Sequence, residues 1–176
     1  MKHSVSGYKQ TGNLTKKYHT PWYSILMLMF MGGLLLYFAI PLFTNKGVSL
    51  SEQLYFVVLW LIFTPLFLGY GFYLWRKRIQ GKGIYWDEEG VVIDLKGNKI
   101  YWNEIEDIRL IKGPPLYIMK ETVIYPHYTK HEEIRARHNK IMPKTAHSIN
   151  WFFIESAHKM HGKLKRDWKD DRKVTY

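Results

Sequence analysis

Hydrophobic and polar positions divide the chain sharply. Trp22 to Phe43 and Gln53 to Trp75 contain no Asp, Glu, Lys, Arg or His. About 20 apolar residues in a helix cross the hydrocarbon core of a bilayer. Inside lipid the backbone must satisfy its own hydrogen bonds, so both stretches are expected to be helices. The loop between them, 44–52, is short and demands an antiparallel hairpin over 21–78. Thr20 and Pro21 suit the start of the first helix, and Ser49-Leu50-Ser51-Glu52 reads as a capping box for the second. Pro41 is expected to help stop the first helix, and Pro65 to kink the second. Gly32 and Gly33 in the first span, with Gly69 and Gly71 in the second, are the small residues that would let the two helices touch. Residues 1–20 are polar and read as a loosely docked arm.

Beyond Gly83 the apolar period shortens. Short β-rich runs at 84–86, 91–95, 99–102, 108–111, 116–119 and 122–125 alternate with turn residues, and Gly97-Asn98 reads as a two-residue hairpin turn. They predict one meandering antiparallel sheet. Thr129-Lys130-His131-Glu132 reads as a capping box opening a helix to Ile141, stopped by Pro143. A strand is expected over Ile149–Ile154, then a last helix from Ala157 to Asp171. Met160, Leu164 and Trp168 at a spacing of four give that helix one apolar stripe, expected to pack on the sheet.

Charge changes the picture by where it lies. The 176 residues carry a formal net charge of +11. Lys2, Lys9, Lys16 and Lys17 precede the first span without an acid, and Arg76, Lys77, Arg78 and Lys82 follow the second without one. Excess charge beside the spans is accounted for by topology: the positive-inside rule puts both flanks and both termini in the cytoplasm and the 44–52 loop outside. No nucleic-acid footprint is needed. Arg76, Lys77, Arg78, Lys82, Lys16 and Lys17 are the candidate contacts to anionic headgroups. The mean hydropathy of -0.27 averages the apolar spans with a polar remainder and so hides the hairpin. The long first apolar run, with no small-x-small cleavage site and a second span close behind, argues against a signal peptide. The chain has no Cys, which excludes disulfides and thiolate chemistry.

Candidate chemistry is sparse. His127, His131, His138, His158 and His161 supply pairs but no third ligand at zinc spacing. Glu88-Glu89 and Glu104 with Glu106-Asp107 lie in expected turns and Glu132-Glu133 in a first helical turn, where acids have structural reasons to be, and Asp170-Asp171 is the remaining pair. Gly81-Lys82-Gly83 lacks the Walker spacing. No catalytic residue, metal or cofactor is expected.

The element order through Ile84-Tyr85-Trp86, the acidic turn with Gly90, Gly97-Asn98, Ile100-Tyr101-Trp102-Asn103-Glu104-Ile105 and Ile108-Arg109-Leu110 resembles bacterial PH-like domains. So does the later passage Glu132-Glu133-Ile134-Arg135-Ala136-Arg137, followed by 149–154 and a last helix. Such domains follow two transmembrane helices in many small Gram-positive membrane proteins of unknown function. The resemblance implies an α+β domain over 83–176, a curved sheet or half-barrel closed by a C-terminal helix, and supplies no catalytic residues. A non-enzymatic cell-membrane module is therefore expected, presenting a cytoplasmic surface to a protein partner. Alternatives are anionic-lipid or envelope-stress sensing, and an immunity or accessory role toward an exported toxin.

Overall fold

The structure, a computed structural model, describes residues 16–44, 50–113 and 119–175. Two antiparallel helices, α1 (Trp22–Thr44) and α2 (Leu50–Ile79), form the hairpin. Trp22–Pro41 and Val57–Ile79 are long and apolar enough to cross a membrane, and their large side chains mostly face outward. Pro41 lies within the last turn of α1 rather than ending it, and α2 continues past Trp75 through the basic run to Ile79. Ser49, the expected cap of the second helix, falls outside the described residues, as does most of the 116–119 run.

The helices meet where side chains are smallest. A Cβ on Gly32 would lie 2.6 Å from the Leu68 side chain, and one on Gly71 would lie 3.0 Å from Met29. Gly33 and Gly69 face away, with nothing within 4 Å. Successive residues on a helix point about 100° apart, so Gly32 and Gly33 cannot share a contact face, and neither can Gly69 and Gly71. Only one member of each pair serves the interface.

Gly81 ends α2. Its φ of +66° is the left-handed conformation that a C′ glycine takes. The amides of Gly81 and Lys82 donate back to the carbonyls of Arg78 (2.9 Å) and Lys77 (3.0 Å), closing the last turn. The chain then enters a small antiparallel domain of two three-stranded sheets, not one meander. The first holds β1 (Tyr85–Trp86), β2 (Gly90–Val92) and β3 (Lys99–Tyr101); the second holds β4 (Ile105–Lys112), β5 (Lys120–Pro126) and β6 (His147–Asn150). A 3-10 turn at Trp102–Glu104 separates the sheets at the expected polar break, although Glu106 and Asp107 belong to β4.

Turn chemistry decides several boundaries. Residues 94–97 form a wider loop than the expected Gly97-Asn98 turn, because Asp94 Oδ1 accepts from the amides of Lys96, Gly97 and Asn98, each at 3.0 Å. Helix α3 (His131–Arg137) is shorter than expected and Thr129 does not cap it. Instead Thr129 sits in a 3-10 turn whose amide reaches His127. Ile141, expected on the helix face, lies in the following loop. The 149–154 run breaks after Asn150, whose side chain accepts from the Phe152 amide and starts a 3-10 turn over Trp151–Phe153.

The last helix, α4 (Ala157–Thr175), buries Met160, Leu164 and Trp168. They join Trp86, Val91, Ile100, Ile108, Ile124 and Ile149 in one core cluster. Trp86 Nε1 donates to Asp167 Oδ2 at 2.8 Å, locking α4 to β1. Tyr18 also belongs to this core. It stacks on Trp86 with ring centroids 5.6 Å apart, and its backbone pairs with Ile84 at 2.8 and 2.9 Å. The end of the N-terminal arm is thus part of the domain, against the expectation of loose docking. Gly83 makes the pairing possible, since a Cβ there would lie 2.5 Å from the Tyr18 carbonyl oxygen.

Candidate membrane-junction site

The residues that sequence pattern assigns to the membrane surface gather at the seam between hairpin and domain, and they do not act alike. Arg78, at the end of α2, is turned inward. Its guanidinium lies 5.0 Å from the Trp22 ring centre, donates to the Thr20 carbonyl, and pairs with Glu155 Oε1 at 2.7 Å. One cation therefore ties the start of α1 to the entrance of α4, and Arg78 is corrected from a lipid contact to a clamp. Lys77 lies over Tyr73 (5.5 Å) and Lys17 over Tyr85 (5.2 Å). Arg76, Lys82 and Lys16 are exposed.

The Trp151–Phe153 turn completes the seam. The Phe152 carbonyl accepts from the buried Ser24 hydroxyl at 2.6 Å and from the Tyr23 hydroxyl at 3.2 Å. Phe152 meets Tyr23 edge to face (5.7 Å), and Phe153 meets Tyr70 likewise (5.9 Å). The Glu155 amide donates to the His19 carbonyl at 2.9 Å. Sequence reading missed this turn as a docking element; its three consecutive aromatics suggested a buried strand. Ser24, a small polar side chain in the first turn of an apolar span, was the available signal.

Between this turn and α2 lies a cavity of about 520 Å³, lined by Tyr70, Tyr73, Leu74 and Phe153 with Ile93 and Ser148 opposite. It is mainly apolar, with Asp94, Lys96, Ser148 and Asn150 as polar members. His147, beside it on β6, is pushed down to about 4 by burial first, and then by His138 and Lys144. Its Nε2 is buried with no hydrogen-bond partner among the described residues. A neutral imidazole tolerates that environment better than a cation does.

The other histidines have structural partners. His127 Nδ1 meets Thr129 Oγ1 at 2.8 Å, His131 Nε2 meets the Pro126 carbonyl at 3.2 Å, and His138 Nε2 meets the Lys99 carbonyl at 2.9 Å. His161 Nδ1 lies 3.1 Å from buried Thr122 Oγ1, which also accepts from Trp151 Nε1. His158 lies edge-on to Trp151. Among the described residues no three His, Asp or Glu side chains converge as metal ligands.

The carboxylates have similar duties. Asp87 and Glu89 hold Lys99 at 2.8 and 2.7 Å. Burial would raise the Asp87 pKa, but hydrogen bonds from Lys99 and from the amides of Glu89 and Gly90 leave it below the ordinary carboxylate value. Asp107 is lowered by Arg109. Glu104 is only 2% exposed and is held by both Arg137 amino nitrogens and the Tyr101 amide.

No protein-family model, curated protein or solved structure matches the chain.

Proposed function

We propose that the protein is a non-enzymatic membrane-anchored module, in which a PH-like domain is held on the cytoplasmic face of the cell membrane and presents a surface to a protein partner. Two small antiparallel sheets packed with a C-terminal helix support the PH-like reading. The basic flanks support the orientation, with both termini in the cytoplasm. A Cys introduced at Lys46 should react with a membrane-impermeant reagent in intact cells. Reaction only after permeabilisation would reverse the topology.

One observation carries the partner reading. The loop between α3 and β6 exposes Ile141 and Met142 at 92% and 75%, between Lys140 and Lys144. Large apolar side chains this open, on a loop apart from the residues that tie domain to hairpin, fit the centre of an interface with a cationic rim. That rim favours a partner with an acidic surface. A photoreactive amino acid at Met142 in the full chain should yield one dominant protein adduct in cells, lost in Ile141→Ser. Lipid adducts alone at this position would overturn the partner reading. Lipid sensing is the second reading, favoured by the outward Arg76, Lys82 and Lys16.

A further inference from the structure

The junction cavity shares part of its lining with another. A second cavity of about 510 Å³ lies along the hairpin, lined by Leu28 of α1 and by Pro65, Phe67 and Gly69 of α2. Both share the walls formed by Tyr70 and Tyr73. Each falls within the ~300–1,000 Å³ typical of small-molecule sites. Pro65 and Gly69 lie inside the apolar segment Val57–Ile79, so in a bilayer the second cavity adjoins hydrocarbon. Gly69, with no side chain filling the space beside it, helps to keep it open. An apolar hollow there gives water too few polar partners to stay, and an empty one forfeits dispersion contacts on every wall. The molecule at hand that fits both conditions is a lipid chain.

The other end of the path changes character. Asp94 lines the junction cavity, but its carboxylate is occupied by three backbone amides and by Asn98 Nδ2 at 2.6 Å. Lys96 lines the same space and makes no ion pair among the described residues. Lys77 stands over Tyr73, on the wall common to both cavities, and is likewise without an ion pair. The apolar lining that begins in the span thus adjoins two ammonium groups that make no ion pair among the described residues, which is the charge and polarity order of an anionic phospholipid.

We infer that the two adjoining cavities together hold one acyl chain of an anionic phospholipid drawn from the adjoining leaflet. The chain follows Pro65, Gly69, Tyr70 and Tyr73, and the phosphate lies toward Lys77 and Lys96. This site rests on the membrane reading of the hairpin and is independent of the protein partner. Bound there, the lipid bridges α2 and the sheet edge, so lipid composition is felt at the seam.

The test uses the full chain in nanodiscs with phosphatidylglycerol carrying a diazirine near the glycerol end of one chain. Adducts should map to the 93–96 and 148–154 segments as well as to 65–73. Phosphatidylcholine bearing the same group should label 93–96 several-fold less. Ser148→Trp, which fills the cavity from β6, should remove the domain adducts while adducts on the outward helix faces persist. Lys96→Ala, on the surface loop, should bring phosphatidylglycerol labelling down toward the phosphatidylcholine level without touching the core. Adducts confined to outward span residues such as Phe30 and Leu61 would overturn the site. Equal labelling by both lipids would overturn its anionic preference. Absence of lipid adducts from both spans would overturn the membrane reading itself, and the site with it.

Discussion

Glu104 shows how much a single side chain holds in this domain. Its carboxylate accepts from Arg137 Nη1 and Nη2 at 2.9 and 2.6 Å and from the Tyr101 amide at 2.9 Å, joining the turn between the two sheets to the end of α3. Removing one partner of a buried pair costs about 3–5 kcal/mol, because the other is left uncompensated. Arg137 is 27% exposed and regains some hydration, so Glu104→Ala should cost about 3 kcal/mol, the lower end of that range. Glu104→Gln, still able to accept from Tyr101, should cost less. Denaturant unfolding followed by Trp fluorescence reads both; equal stability of wild type and Glu104→Ala would refute the role. His147 makes a pH prediction. Its folded pKa of about 4 lies below the unfolded value near 6.5, so between these values the unfolded chain binds the extra proton. The His147 contribution to stability should therefore be lost as pH drops from about 6.5 to about 4, and below that the carboxylates held by Lys99 and Arg109 add further loss. The groups around it are His138, Lys144, His131 and Asp94, and only Asp94 opposes the shift. In His147→Gln the slope of melting temperature against pH across that window should flatten; an unchanged slope would assign it to other groups.

Elements were legible where their cause was local. The two spans followed from length and absence of charge, and the α4 stripe from its spacing of four, because both signals act within one helix. Boundaries failed where a side chain overrode the pattern: Asp94 widening the β2–β3 turn, His127 taking Thr129, and Asn150 ending β6 by capping the Phe152 amide. The seam was less legible still, since Arg78 finds Glu155 across 77 residues and Ser24 finds Phe152 across 128 residues. The glycines show the same limit within one element. All four are compatible with close packing by composition, yet helical rotation selects Gly32 and Gly71. Gly32→Leu should separate the helices at Leu68 and lower the melting temperature of the full chain in detergent, as overpacking costs about 1–3 kcal/mol. Gly33→Leu, facing open space, should leave it nearly unchanged. Equal losses from the two substitutions would place the contact elsewhere.

At the scale of the whole molecule, hairpin and domain are not beads on a string. The chain leaves the domain core after Tyr18, travels through both helices, and returns at Ile84, directly opposite the residue it left. The Tyr18–Ile84 backbone pair pins the two ends of the hairpin together, and the Tyr18 ring covers Trp86 within the core. Arg78 and Ser24 repeat the tie at the ends of the two helices. A segment beginning at residue 83 would therefore lack part of its own core and expose one face of Trp86. The full chain with Tyr18→Ala should show the same defect, costing about 3 kcal/mol by analogy with aromatic truncations in cores. Tyr18→Phe, which keeps the stacked ring and the backbone pair, should cost less than about 1.5 kcal/mol, as volume-conserving swaps do. Hydrogen exchange separates this account from simple loss of packing. If Tyr18 couples hairpin to domain, Tyr18→Ala should speed exchange at the Ile84 amide and along 78–84 as well as at Trp86. Faster exchange confined to β1 would mean that Tyr18 only fills space, and that the seam is held by Arg78 and Ser24 without it.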